Sequence, residues 1–200
     1  MINLLLSMFD NLKSYILSKA QVTETELDQI SSVFRLKKLR KKQYFLQEGD
    51  ISQQLAFVNK GCLRMYRVDQ KGHEHIVHFA FENWWINDRE SYLNQDASKY
   101  NIDAIEDSEI MITDIDKFNQ VLLSIPALAQ MMQNLQAKNF VAVQRRINST
   151  LSYTAEEKYL ELMEIQPEIL NRVPLNMVAS YLGISRETLS RIRSQAKRST

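Results

Sequence analysis

The strongest restriction on the fold comes from one glycine, Gly183, set between two short apolar stripes: Val178 and Leu182 before it, Leu189 and Ile192 after it. Both stripes have helical spacing, which predicts two short helices that bury these residues against each other. Gly183 can take the left-handed backbone that ends the first helix, and Ala179, one turn earlier, leaves room for close packing. Ser185 is placed to cap the second helix by accepting from a free backbone N–H near Thr188. The expected unit is a helix-turn-helix. With Leu189 and Ile192 inward, Arg186, Glu187, Ser190 and Arg191 share the outward face at the N-terminal end, the end that enters a DNA major groove. Arginine can grip guanine O6 and N7 with two bonds, and a carboxylate can accept from cytosine N4.

Charge agrees with that reading. From Ser185 onward there are five basic residues, Arg186, Arg191, Arg193, Lys197 and Arg198, against one acid, Glu187. The remainder carries 20 basic and 23 acidic residues, so the overall +1 hides a polarised chain. The positive end is where phosphates would lie, with Arg193 and Lys197 as expected phosphate contacts.

The 200 residues, 44% apolar, suffice for one good core and a small second domain. A single cysteine, Cys62, excludes an intrachain disulfide framework, a cysteine-ligated iron–sulfur cluster and a cysteine-based structural zinc site. Met1 to Phe9 is short and apolar, lacks a basic start and a small-residue cleavage site, and reads as an amphipathic helix rather than a signal peptide. No apolar run is long enough to span a membrane. A cytoplasmic protein with no cofactor is expected.

Thr23 and Glu26 form a capping box ahead of Leu27, Ile30, Val33 and Phe34. Lys37 to Lys42 is a basic run, read as a solvated strand edge protected from pairing with other chains. From Tyr44 to Asp116 the pattern changes to short β-rich runs at Tyr44–Leu46, Leu55–Val58, Cys62–Val68, His75–Phe81, Asn101–Ile105 and Ile110–Ile115. Gly49, Gly61 and Gly72 punctuate them as turns, the spacing of a jelly roll. Trp84 and Trp85 should face opposite sides of a strand, one of them into the core.

Ser124 and Pro126 mark the expected start of a long helix carrying Leu128, Met132 and Leu135, then Phe140, Val143, Ile147 and Leu151. Its apolar residues exceed what a small sheet covers, so part of the stripe is expected to meet a second copy, with Asn139 as a candidate register residue. Thr154 and Glu157 should cap a further helix bearing Tyr159, Leu160 and Met163, ended by Pro167.

The order jelly roll, long helix, helix-turn-helix, together with Ser185-Arg186-Glu187-Thr188 and Arg191, resembles the Crp/Fnr superfamily of bacterial transcription regulators over nearly the whole chain. The resemblance implies an α+β fold: an N-terminal cyclic-nucleotide-binding-like jelly roll as sensor domain (residues 1–116), a long dimerisation helix (117–152) and a C-terminal helix-turn-helix domain (153–200). It implies base reading by Arg186, Glu187 and Arg191, and phosphate contacts from Asn176, Ser185 and Thr188. A homodimer with its two reading helices about 34 Å apart would select a near-palindromic operator in double-stranded DNA. The family's β-hairpin wing is not expected after Arg191.

The expected sensor pocket departs from the family. Members that bind cyclic AMP carry Gly-Glu for the ribose and Arg-Ser for the phosphate. Counting without gaps from Gly72 and from Ala104 puts Asn87-Asp88 and Ser98-Lys99 there. Asp88 can accept from a ribose hydroxyl, but Lys99 offers a point charge and not the bidentate fork of arginine. The pocket is therefore expected not to bind cyclic AMP, and a different small-molecule effector stays open. The rival reading is a metal-binding, cupin-like jelly-roll enzyme using His73, His75 and Glu82. It is weakened by the missing glutamate at Phe79 or Ala80, by His78 facing away from His75, and by the lack of any later histidine. No catalytic signature is found, and no enzyme is expected.

Overall fold

The computed structural model describes residues 2–196, with side chains from Phe9 onward. It divides into two compact units, one formed by residues 1–67 and 79–136, the other by 68–78 and 137–200.

The first unit opens with helices α1 (Ile2–Leu17) and α2 (Glu24–Ser32). The Thr23–Glu26 capping box forms at the start of α2, with Glu26 N–H donating to Thr23 Oγ1 at 3.3 Å and Thr23 N–H to Glu26 Oε2 at 2.7 Å. Eight strands follow: β1 (Arg35–Leu39), β2 (Tyr44–Leu46), β3 (Gln54–Lys60), β4 (Leu63–Val68), β5 (Glu74–Ala80), β6 (Trp85–Ile86), β7 (Asn101–Ala104) and β8 (Ser108–Asp114), with helix α3 (Arg89–Asn94) between β6 and β7. They form two four-stranded sheets, ordered β1-β8-β3-β6 and β2-β7-β4-β5. Each expected strand is present with ends within about two residues, and Gly49, Gly61 and Gly72 mark the turns from β2 to β5. The lysine-rich β1 lies at a sheet edge, where Lys38 pairs with Glu109 at 2.8 Å.

Strand β3 explains why its sequence is a continuous apolar run. Ala56 and Val58 face the interior of the sandwich with Ile110, Ile112, Leu63, Ile102 and Ala104, while Leu55 and Phe57 face the helices with Met111, Leu12, Ile16, Ile30 and Phe118. Both faces are covered, so alternation disappears. Trp85 joins the helix-side cluster, 5.0 Å from Phe57 and 5.7 Å from Phe118, and Trp84 stays more exposed.

The long helix starts at Pro126 as expected, but the expectation of one helix across residues 117–152 needs correction. Two helices occupy this stretch, α4 (Ile115–Ser124) and α5 (Pro126–Ser152). Ile125 between them is extended at φ −125°, ψ 90°. A residue before proline is pushed out of the helical region, and proline has no N–H to continue the ladder, so the chain breaks here and restarts with Pro126 at the first helical position. Ser124 is consequently not a cap for α5; it closes α4, with its hydroxyl donating to Val121 O at 2.9 Å. Ile115, Phe118 and Val121 of α4 and Leu128 and Met131 of α5 are buried in the helix-side core.

In the second unit, α5 is followed by α6 (Ala155–Ile165), α7 (Ile169–Arg172), α8 (Leu175–Leu182) and α9 (Arg186–Ala196). The Thr154–Glu157 capping box starts α6, and Gln166 ends it just before Pro167. Tyr159, Leu160 and Met163 all lie on α6 as expected; Tyr159 and Leu162 are its buried residues, and Leu160 is exposed. The core of this unit is Tyr159, Leu162, Ile169, Val173, Val178, Ala179, Leu189 and Ile192.

Candidate nucleic-acid interface

Helix α8 ends where the sequence requires it to. Gly183 sits at φ 67°, ψ 33°, and the following Ile184 N–H reaches back to Ala179 O at 3.0 Å, which satisfies carbonyls the helix leaves open. The turn is short because Ser185 immediately caps α9: Thr188 N–H donates to Ser185 Oγ at 3.1 Å, and the Ser185 hydroxyl lies 3.0 Å from Thr188 Oγ1. Helix α9 packs on α6 and α8 through the buried Leu189 and Ile192.

That packing turns the other face outward. Arg186, Glu187, Ser190, Arg191 and Ser194 line one shallow, open surface that runs along α9 from its N-terminal end. The four expected base readers are therefore brought together on one exposed face, joined by Ser194, one turn beyond Ser190 and Arg191, which sequence reasoning left out. Glu187 is held below the usual carboxylate range by its own backbone N–H, by the Ser185 hydroxyl and by the Arg186 charge, so it is an ionised acceptor at neutral pH. Asn176 is exposed at the start of α8, Ser185 is exposed, Thr188 is half-buried, and Arg193 is half-buried on the flank of α9. Lys197 lies outside the described residues.

Helix α5 has an inverted distribution in this unit. Phe140, Val143, Ile147 and Leu151, spaced by three and four residues on one face, are exposed, Ile147 by 56% and Leu151 by 80%. The polar Ser149 is buried and Arg146 half-buried on another face. The apolar stripe of α5 is thus left uncovered by its own chain, while polar side chains on another face are packed inward. Asn139 is exposed beside that stripe.

The expected effector residues lie in the first unit, in and around α3. Asp88 is the N-cap of α3: one carboxylate oxygen accepts from Ser91 N–H at 3.2 Å, and the other accepts from the Ser98 hydroxyl at 2.7 Å. Asp88 N–H donates in turn to Ser52 Oγ, and Ser91 Oγ to Asp96 O. Asp88 is 4% exposed and Ser98 3%. The acceptor oxygens expected for a ribose are turned inward and engaged with the protein's own groups. Lys99 is on the surface, 3.3 Å from Glu90, and Asn87 is half-buried.

In the rival metal set the two histidines share one carboxylate, and the expected glutamate is engaged elsewhere. His75 Nε2 lies 2.9 Å from Asp69 Oδ2 and His73 Nδ1 3.4 Å from the same oxygen, whereas Glu82 accepts the Gly61 N–H. His78 is driven down to about 4 by burial and then by the Arg146 charge, so its imidazole is neutral at physiological pH.

Residues 36–124 match the cyclic nucleotide-binding domain family. The chain is 22% identical over 183 residues to the anaerobic regulatory protein of Pasteurella multocida, covering 86% of this chain and 66% of that protein, just under two thirds of its length. It is 21% identical over 190 residues to the regulatory protein HlyX of Actinobacillus pleuropneumoniae, covering 89% and 78%. The fold is similar to that of FixK2 from Bradyrhizobium japonicum, at TM-score 0.69 and 17% identity over 84% of this chain and 86% of that one. No helix among the described residues is long and apolar enough to cross a membrane.

Proposed function

We propose that this chain, a Crp/Fnr-superfamily transcription regulator by the similarities above, is a homodimeric, sequence-specific reader of double-stranded DNA whose sensor pocket does not take cyclic AMP. The observation that carries the reading is the division of α9: Leu189 and Ile192 buried, and Arg186, Glu187, Ser190 and Arg191 exposed together at its N-terminal end. Two forked cations with an ionised carboxylate between them match the edge chemistry of G·C pairs in the major groove. Asn176, Ser185, Thr188, Arg193 and Lys197 are assigned to phosphates, which position the helix without reading sequence.

The exposed stripe of α5 supports dimerisation, and the pairing of two readers supports a near-palindromic operator. In functional terms residues 1–116 act as a sensor-derived domain, 117–152 as the dimer segment and 153–200 as the reader, all working in the cytoplasm. The engagement of both Asp88 oxygens with Ser91 and Ser98 supports a pocket closed to cyclic nucleotides; a different effector would have to use other groups. No enzymatic role is assigned, because the histidines of the rival metal set turn to Asp69 and its glutamate to Gly61.

The test is selection of bound duplexes from a random pool by the purified protein, with and without cyclic AMP. One two-fold-symmetric motif in both arms is the expected result. A motif appearing only with cyclic AMP would overturn the closed pocket, and no motif in either arm would overturn the reader.

A further inference from the structure

The half-buried Arg146 of α5 makes contacts that the reading above leaves unused. The Arg146 guanidinium donates to Val77 O and, at 3.2 Å, to Ile76 O, both on β5. It also donates at 3.2 Å to Tyr181 O in the last turn of α8, and its plane lies 4.0 Å over the Tyr181 ring. Beside it, Ser180 Oγ accepts from Ile76 N–H at 3.0 Å and donates to Glu74 O at 2.8 Å. Among the described residues these partners of the cation are carbonyls and a ring. Burial lowers the affinity of this guanidinium for its proton, yet arginine stays charged under all ordinary conditions.

These contacts answer two local needs. Strand β5 is the last in its sheet, so its outer N–H and C=O groups lack a strand partner. The final carbonyls of α8 are unpaired by helix geometry, and a cation there is favoured by the helix dipole. One side chain on the dimer helix thus ties the β5 edge to the end of α8, at the turn that launches α9. The covalent path from α5 to the reader runs through Tyr153 and Thr154 and then α6, which does not by itself set the angle between α5 and α9.

We propose that Arg146 is a positioning residue that fixes the angle between the dimer helix and the reading helix, and so specifies the half-site spacing that the protein accepts. Ser180 supports it by holding the same strand edge. The inference rests on the dimeric DNA reader proposed above. Two linked readers gain affinity only when their geometry matches the spacing of the two half-sites, and a loosened tie spreads that geometry.

The test uses the full-length protein on the selected operator, on versions with the centre lengthened or shortened by one or two base pairs, and on a duplex with a single half-site. The parent should prefer one spacing sharply. Arg146→Met should lose about tenfold on the preferred spacing, with differences between spacings shrinking to about threefold, while affinity for the single half-site stays within about twofold. Arg146→Lys keeps the charge without the fork and should fall between the two. Ser180→Ala should shift the spacing profile in the same direction by less, and it carries the test with Arg146→Lys if Arg146→Met fails to fold. Unchanged spacing preference in the folded variants would overturn the proposal. Tighter binding to the preferred spacing would also overturn it, because Arg146 would then oppose reading. Failure of the parent to select any duplex would instead overturn the DNA-reading function.

Discussion

Replacing Ile147 by glutamate tests the proposed dimer apart from the fold. Ile147 is 56% exposed in the single chain and lies midway along the stripe from Phe140 to Leu151, so its loss removes little that the monomer buries. The part its own chain already covers is worth about 1 kcal/mol at most, and the methylenes of glutamate keep some of that contact, so monomer stability should fall by no more than about 1 kcal/mol. In a two-fold dimer built on this stripe the same position is buried twice. The remaining half of an isoleucine side chain is worth about 1.5 kcal/mol per copy, so two copies lose about 3 kcal/mol before any charge is counted. That corresponds to about a hundredfold rise in the dimer dissociation constant, and two carboxylates brought near the axis can only add to it. Sedimentation equilibrium gives the dissociation constant, and urea melts at a concentration where the variant is monomeric give the fold stability. A dimer constant within about threefold of the parent would show that the stripe is not the interface. A large fall in monomer stability would show that Ile147 is covered by its own chain.

Three other outcomes follow from local geometry. Gly183→Ala adds a Cβ with nothing within 4 Å but holds alanine at φ 67°, so urea melts should show a loss of about 1 kcal/mol; Gly61→Ala, at φ 99° and with its Cβ 2.8 Å from Ser108 Cα, should lose clearly more. Arg186→Ala and Glu187→Ala should each cost about 1 to 3 kcal/mol on the selected operator and relax preference at one base pair, with little change on random DNA, as measured by competition titration. His78 titrates near 4 in the fold against 6.5 when unfolded, so its contribution is complete above pH 6.5 and is lost as pH falls from 6.5 towards 4, where the unfolded chain takes the proton first; Arg146→Met removes a neighbouring charge, raises this value and should flatten the acid limb of a stability–pH curve.

What could be read in the sequence was whatever depends on a few neighbouring residues. Both capping boxes, the left-handed Gly183 and the Ser185 cap are short-range chemistry, and each forms at the expected residues. Strands β2 to β5 were legible because Gly49, Gly61 and Gly72 mark the turns between them, and β7 and β8 from their apolar runs alone. Helix α4 was not, because Ile115 to Ser124 carries apolar residues that continue smoothly from β8 on one side and into α5 on the other. Leu160 and Leu162 could not be told apart by period alone, since both lie within one turn of other apolar residues; only the packing of α6 on α9 decides which is covered. Arg146 left no signal at all: an arginine in a polar stretch of helix looks solvated, and its partners are backbone carbonyls 35 and about 70 positions away.

The pairing of Asp88 with Ser98 lies between these cases, because the residues were singled out but their mutual bond was not foreseen. As an N-cap, the carboxylate already satisfies the Ser91 N–H at the start of α3, and an approaching phosphate would meet a negative charge there. Asp88→Asn keeps a carbonyl for Ser91, and its amide can donate to Ser98 Oγ, whose own hydroxyl has Tyr100 O at 3.0 Å as another acceptor. Asp88→Ala has no such replacement: the Ser91 N–H loses its acceptor, and the Ser98 hydroxyl is left with Tyr100 O alone. Urea melts should therefore rank parent, Asn and Ala in falling stability, with the alanine variant losing about 2 kcal/mol or more and the asparagine variant about 1. Neither variant should take up cyclic AMP in a calorimetric titration, since removing a carboxylate supplies no arginine fork and Lys99 remains on the surface beside Glu90. Equal stability of all three proteins would show that the Asp88–Ser98 bond does not hold this region closed, and micromolar binding of cyclic AMP by the parent would refute the reasoning outright.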